Sequence, residues 1–399
     1  MIGNSRIRSI PMARLARVEV FASDEVAVVH VMNRVVRRCF LLGDDPVTGK
    51  NYDHRKAWIE ELLQRFAAVF GIDLLTFAIL SNHFHLILRS RPDVVATWDD
   101  TEVARRWLML CPIRKTAEHL PEEPNEPELN SIRNDPQKLA AIRSRLSDIG
   151  WWMRLLCQQV ATRANHEDQE VGKFWQARFR AVRLLDEQAL LACSAYVDLN
   201  PIRAALAETL EASDHTSVQR RIQAAQNQKR PAAAKPGAGR SSQPATVSQS
   251  RVKQPIVSAK PPCGTLPTAP DGFLSPLALE ERSGELGAVP SPSGLRCSDK
   301  GFLPISAGDY LVLLDWTARQ SVAGKRGTTP KALQPIFERL SLEPTTWCAL
   351  VGSFGRLFYN VAGLPPTIDA TSSRVTQRHY HVPSAARKLL SPSPEQTSA

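Results

Sequence analysis

No Cys-x-x-Cys pair occurs in the 399 residues, and the seven cysteines are scattered and odd in number. That excludes a zinc knuckle and a fully paired disulfide framework, and predicts thiols that stay reduced. No run of 18 apolar residues occurs either, and the first 21 residues carry four arginines with no apolar stretch beside them. Neither a membrane span nor an export signal is read, so the expectation is a soluble, cytoplasmic chain without a membrane partner. Two narrower gaps bear on organisation and chemistry. Between Thr216 and Lys260 there is no Asp or Glu among nine Lys and Arg, and between residues 53 and 195 there is no tyrosine.

What is present is positive charge. Fifty Lys and Arg against 40 Asp and Glu give a net +10, which favours an acidic partner, with nucleic acid ahead of membrane surface. The acid-free stretch cannot bury enough apolar surface to offset its chain entropy, so residues 216–300 read as a basic disordered linker. Beyond it, apolar residues at helical spacing predict a small helical domain of unassigned role over 301–385, followed by a tail at 386–399. Residues 1–20 read as a flexible N-terminus.

Residues 21–215 alternate strand and helix patterns. "EVAVVHVMNRV" (25–35) is β-branched and reads as a strand, and "HRKAWIEELLQRFAAVFG" (54–71) as an amphipathic helix stopped by Gly. "IDLLTFAIL" and "HFHLILRS" read as two strands joined at Ser81-Asn82. A polar insertion at 91–150 holds a basic, Trp-containing helix and the acidic loop "PEEPNEPELN", and could either reshape a groove or decorate the surface. A helix at 149–165, a strand at 179–185 and a helix at 186–200, capped by Asp186 and stopped by Pro201, complete the pattern. The order β-α-β-β-α-β-α predicts an α+β, ferredoxin-like sandwich with an antiparallel sheet and helices on one face.

Within it, "HFH" places His83 and His85 on the same side of a strand, with Cα atoms roughly 6.6 Å apart, and turns Phe84, Leu86 and Leu88 to the other side. Two such imidazoles can converge on one divalent cation or can be satisfied by hydrogen bonds, and the motif alone leaves both readings open. A cation would need further donors. Gln158 and Asn165, on one stripe of the 149–165 helix, are the candidate third ligands if that helix crosses the histidine face. His30 reads as a hydrogen-bonded strand histidine. Arg34, Arg37, Lys173, Arg178, Arg180, Arg183 and Arg203 are candidate phosphate contacts, with Trp175 a candidate base-stacking surface.

The blocks "HVMNR" (30–34), "LSNHFHLIL" (80–88), Asn165, "GKFWQARF" (172–179), "YVDLNPIRAAL" (196–206) and "DHTS" (214–217) together resemble the IS200-like, single-tyrosine HUH transposases associated with repetitive extragenic palindromes. The resemblance implies hairpin single-stranded DNA as partner, Mg²⁺ or Mn²⁺ as cofactor, and strand cleavage and joining in DNA transposition, with a homodimer among the arrangements it suggests. It implies that His83 and His85, with an Asn or Gln from a following helix, hold the cation, and that a tyrosine one turn before that third ligand attacks the phosphate. With Asn165 in the third place, the residue four positions earlier is Ala161, so the nucleophile is not identified. Tyr52 and Tyr196 are the remaining candidates, Tyr196 reading as a packing residue. The alternative is a transposase derivative that has lost catalysis and only binds structured nucleic acid.

Overall fold

The computed structural model describes residues 24–36, 39–46, 49–117, 120–229, 269–278, 287–320, 343–374, 380 and 383–390. Strand β1 (Val28–Arg34) leads to helix α1 (His54–Val69), and β2 (Ile72–Ile79) and β3 (His83–Ser90) follow. The insertion contributes α2 (Pro92–Val95), α3 (Asp100–Leu110), α4 (Glu126–Arg133) and α5 (Pro136–Leu146). Then come α6 (Ile149–Asp168), β4 (Arg180–Leu184), α7 (Glu187–Asp198), α8 (Asn200–Arg203) and α9 (Ser217–Lys229). The C-terminal part holds α10 (Ala307–Gln320), α11 (Pro344–Leu357), β5 (Val361–Ala362), α12 (Pro365–Arg374) and α13 (Ser384–Leu390). No helix among the described residues is long and apolar enough to cross a membrane.

The fold is α+β, as expected. The sheet order is β2-β3-β1-β4-β5, antiparallel except for the β4–β5 pair. Its first four strands, with α1 and α6, follow the β-α-β-β-α-β order of a ferredoxin-like sandwich. Leu80, Ser81 and Asn82 join β2 to β3, closed by Leu80 N–H donating to His83 O at 2.8 Å.

Helices cover both sheet faces, not one. Val29, Val31, Phe77, Phe84, Leu86 and Leu88 pack under α1 and α6, against Phe66, Trp152, Leu156 and Val160. The period-2 alternation of the strands turns Ile87, Val182 and Leu184 to the opposite face, where α7, α10 and α11 cover them. The reason is legible in α7 itself, whose Leu190, Leu191, Ala192, Cys193, Ala195 and Val197 are buried around its whole circumference. A helix apolar on all sides needs a second layer beyond the sheet.

That layer is the C-terminal segment, which shares this core and is not a separate domain. Tyr310 donates its hydroxyl proton to Asp198 Oδ2 at 2.7 Å, and Asp186, the N-cap of α7, also accepts from Leu364 N–H at 2.6 Å. The expected linker is likewise corrected where it is described. Ser217–Lys229 is helical, with Ser217 Oγ donating to Asp198 Oδ1 at 2.5 Å. Ala386 of the expected tail is buried in α13. Residues 1–20, 230–268 and 391–399 lie outside the described residues. In the insertion, "PEEPNEPELN" is not all loop, because Asn125 and Glu128 cap each other reciprocally and start α4. The insertion packs on the α1–α6 side, where Arg106 donates to the last carbonyls of α1, Ala68 O and Val69 O, and it does not border the histidine face.

Residues 287–301 are pinned by a buried charge cluster. Asp73, 1% exposed, accepts from Arg89 Nε at 2.8 Å, from Arg91 Nη1 at 3.1 Å and from the backbone and hydroxyl of Ser298. Arg89 also donates to Lys300 O and Gly301 O. Asp73→Ala leaves two arginines buried beside each other without their shared carboxylate, so urea unfolding should show a loss of about 3–5 kcal/mol. Limited proteolysis should then cut near residues 287–301 first; an unchanged digestion pattern would contradict the anchoring role.

Candidate active site

Register places the histidines. Met32 faces His85 across β1 and β3, so His30, Met32 and Arg34 share a sheet face with His83 and His85, and Arg180 joins them from β4. His83 Nδ1 donates to Asn82 Oδ1 at 2.6 Å, because a carboxamide oxygen can only accept, and this leaves the lone pair on His83 Nε2. His85, 1% exposed, stacks on His30 with ring centroids 5.1 Å apart, and its Nδ1 lies 2.9 Å from His30 Nε2. With the proton on His85 Nδ1, His85 donates to His30, and its buried Nε2 carries a lone pair with no hydrogen-bond partner. In that tautomer both imidazoles are held through Nδ1 and carry their lone pairs on Nε2, the arrangement that orients metal-binding histidines. His30 is a hydrogen-bonded strand histidine, as expected.

Burial holds all three imidazoles neutral, with His83 lowered to about 4, His30 to about 3, and His85 well below its ordinary value; nearby positive charge adds to the effect. The unfolded chain protonates near 6.5, so as pH falls it takes up protons before the folded state does. Stability present above pH 6.5 should therefore be lost progressively toward pH 4, each tenfold difference in proton affinity between the two states being worth about 1.4 kcal/mol. Asp198, raised to about 6 by burial, works in the opposite sense: its contribution is full below 3.8 and is lost as pH rises through 6. One carboxyl does not cancel three imidazoles. Metal-free urea titrations at pH 7.5, 6 and 5 should show the midpoint falling at each step, and a midpoint that rises would contradict the assignment.

The structure moves the third donor and the nucleophile. Helix α6 lies on the other sheet face: Gln158 is exposed, and Asn165 donates to Gly172 O at 3.0 Å. The expectation that Gln158 or Asn165 completes a cation site is corrected, because Trp152, Leu156 and Val160 commit α6 to the Phe84-Leu86-Leu88 face. Facing the histidines instead is the end of α7. The Tyr196 ring lies 5.4 Å from that of His85 and 6.0 Å from that of His30, both edge-on. Burial raises the Tyr196 phenol, opposed by hydrogen bonding to the Asn200 side chain and by the charges of Arg203 and Arg180. Asn200 follows Tyr196 by one helical turn and lies on its side. The signal is present in the sequence, since "YVDLN" carries the one-turn tyrosine-to-asparagine spacing that is absent before Asn165.

Tyr52 stands apart, stacked 4.1 Å beneath the Arg55 guanidinium, which binds Glu167 and Asp168 at the end of α6. Among the expected nucleic-acid contacts, Trp175 is structural: its indole donates to Cys157 O at 2.8 Å and packs on Phe84. Arg183 is bound by both Glu25 carboxylate oxygens. Arg203 ties α8 to α11 by donating to Val351 O at 2.6 Å. Lys173 and Arg178 are exposed on the loop before β4, and Arg37 lies outside the described residues.

Arg34 and Arg180 do line a cleft, of about 280 Å³, with His30, His85 and Tyr196 on its floor and Ser353, Phe354 and Arg356 of α11 opposite. No Asp or Glu lines it. Among the described residues no three His, Cys, Asp or Glu side chains converge as a closed metal cage. The polar groups gathered at and beside the cleft are the neighbouring imidazoles of His83 and His85 and, hydrogen-bonded to Tyr196, the Asn200 carboxamide.

No protein-family model and no curated protein matches the chain. The chain is similar to a solved structure described as "Structure of the REP associates tyrosine transposase bound to a REP hairpin", at 12% identity over 56% of this chain and 93% of that one. The TM-score is 0.28, and the likeness carries no weight in the functional reading.

Proposed function

We propose that the chain cleaves and rejoins single-stranded DNA folded as hairpins, with Tyr196 as nucleophile and His83, His85 and Asn200 as donors to Mg²⁺ or Mn²⁺. The observation that carries this reading is the contact of Tyr196, hydrogen-bonded to Asn200, with the edge of His85, whose buried Nε2 has no partner and whose ring lies 5.0 Å from that of His83, at a cleft lined by Arg34, Arg180 and Arg356. When bound there, the cation supplies charge neutralisation at the phosphoryl oxygen. Everything else is the work of the chain.

Tyr196 presents a phenol, held by its stacking against Phe354 at 5.8 Å and by the edge of His85. Its oxygen forms a bond to phosphorus as the bond from phosphorus to the 3′ oxygen breaks, and the phenol proton passes through solvent to that leaving oxygen. A 5′-phosphotyrosine and a free 3′-hydroxyl result. The phosphodiester energy is kept, so the reverse attack by a 3′-hydroxyl joins strands without ATP. Arg34 on β1 and Arg180 on β4 line the cleft beside the imidazoles and offset phosphate charge. Arg180 and Arg203 also lower the energy of the phenolate that the attack requires.

The alternative, a derivative that binds without cutting, rests on the missing tyrosine of α6. It loses that support because α6 lies on the other face. Incubating the protein with a hairpin oligonucleotide and Mn²⁺ and separating products on a denaturing gel tests the reading. It expects a protein–DNA adduct and a shortened strand, both dependent on the cation; intact DNA under all conditions would refute it.

A further inference from the structure

The wall of the cleft facing the histidines is α11, from a segment whose sequence pattern alone suggests a separate domain of unassigned role. We propose that α11 forms the second wall of a groove for one polynucleotide strand, with Arg356 and Ser353 contacting a backbone phosphate next to the one held at Tyr196. This rests on the reading of the cleft as a nucleic-acid site and adds to it a named contact surface on α11.

Three independent features carry it. The first is space. Gly352 lies on the cleft side of α11, and a Cβ there would meet nothing within 4 Å, whereas one at Gly355 would sit 3.0 Å from the Tyr196 hydroxyl. Glycine weakens a helix interior relative to alanine. Two glycines three positions apart keep the wall thin where Tyr196 needs room beneath it and where the cleft is open. The second is charge. Arg34, Arg180 and Arg356 surround the cleft without a carboxylate among its lining residues, so an anion entering it meets only cations. Arg356 is exposed, and Arg356 Nη2 donates to Ser353 Oγ at 3.3 Å, so guanidinium and hydroxyl form one donor group.

The third is an unmet demand for a ligand. His85 is 1% exposed, lines the cleft, and has no partner for Nε2. A polar atom so placed calls for an occupant of the cleft. α11 is also fixed in position, because Trp347, Leu350, Val351 and Phe354 are buried in the core shared with α7. The wall is rigid, and its glycines are not hinges.

The test uses the full chain with Ca²⁺ in place of Mn²⁺ and a fluorescent hairpin oligonucleotide with a single-stranded tail, read by anisotropy over a salt series. Arg356→Ala should weaken binding about tenfold and lower the salt slope by about one. Gly352→Leu should weaken binding at least about tenfold by filling the groove, and should melt no lower than wild type, because the site is open and glycine is the poorer helix former. Binding by Arg356→Ala and Gly352→Leu equal to wild type would overturn the proposal, even if wild type forms the tyrosine adduct. Tighter binding or faster adduct formation by either variant would overturn it too, making α11 a cap that keeps DNA out. If the variants lose binding as expected but wild type forms no adduct, the groove assignment stands and the cleavage reading alone fails.

Discussion

Tyr196→Phe should abolish adduct formation on hairpin DNA, lowering the rate by at least about 10⁴-fold, the scale on which removal of a nucleophile acts. The loss should be chemical and not structural. Phenylalanine keeps the ring that stacks on Phe354 and meets the edge of His85, so the thermal midpoint and the hairpin affinity should stay close to wild type. Only the phenol oxygen is removed, together with its interaction with Asn200. Tyr52→Phe should leave the rate unchanged, since Tyr52 is engaged with Arg55 at the α1–α6 end of the molecule. An adduct that survives Tyr196→Phe and disappears in Tyr52→Phe would reverse the assignment.

His83→Ala should separate binding from chemistry. His83 is half-buried and its imidazole is hydrogen-bonded to the neighbouring Asn82, so its removal disturbs the fold less than removal of His85, whose loss would also leave His30 Nε2 without its partner. Loss of outer groups that merely orient metal ligands costs about 10–100-fold, so loss of a direct donor should lower cation-stimulated cleavage by more than about 100-fold. Mn²⁺ affinity, followed by electron paramagnetic resonance, should fall in parallel. Hairpin affinity in Ca²⁺ at moderate salt should change little, because Arg34, Arg180 and Arg356 remain. Cleavage at the wild-type rate in His83→Ala would remove the imidazole pair from the chemistry.

The elements are legible in the sequence, but their sides are not. The β-branched run of β1, the capped start of α7 at Asp186 and the histidine alternation of β3 all follow from local rules that the structure obeys. What local rules miss is the assignment of a helix to a sheet face, which depends on how two apolar surfaces pair across the molecule. One clue is local. Trp152, Leu156 and Val160 make α6 apolar along the stripe that must meet an apolar sheet face, and Phe84, Leu86 and Leu88 offer one on the side away from His83 and His85. Taken together, they exclude Gln158 and Asn165 from the histidines.

The C-terminal segment escapes the sequence pattern for a related reason. Its helices show ordinary amphipathic spacing, which does not reveal what they pack on, and a basic, acid-free stretch separates them from the first 215 residues. The demand for them lies in α7, where "ALLACSAYV" is apolar on nearly every side, and in the buried carboxyl of Asp198, which takes its partners from Ser217 and Tyr310. Buried polar groups require partners wherever in the chain these are found.

The proposed chemistry stands or falls on whether Tyr196 attacks the phosphate beside His83 and His85. Full-length protein incubated with hairpin DNA and Mn²⁺, then digested with nuclease and trypsin and analysed by mass spectrometry, tests it directly. The expected product is a phosphonucleotide on Tyr196, absent when the cation is chelated. The same modification on another tyrosine, or a cleaved strand with Tyr196 unmodified at every time point, would contradict it.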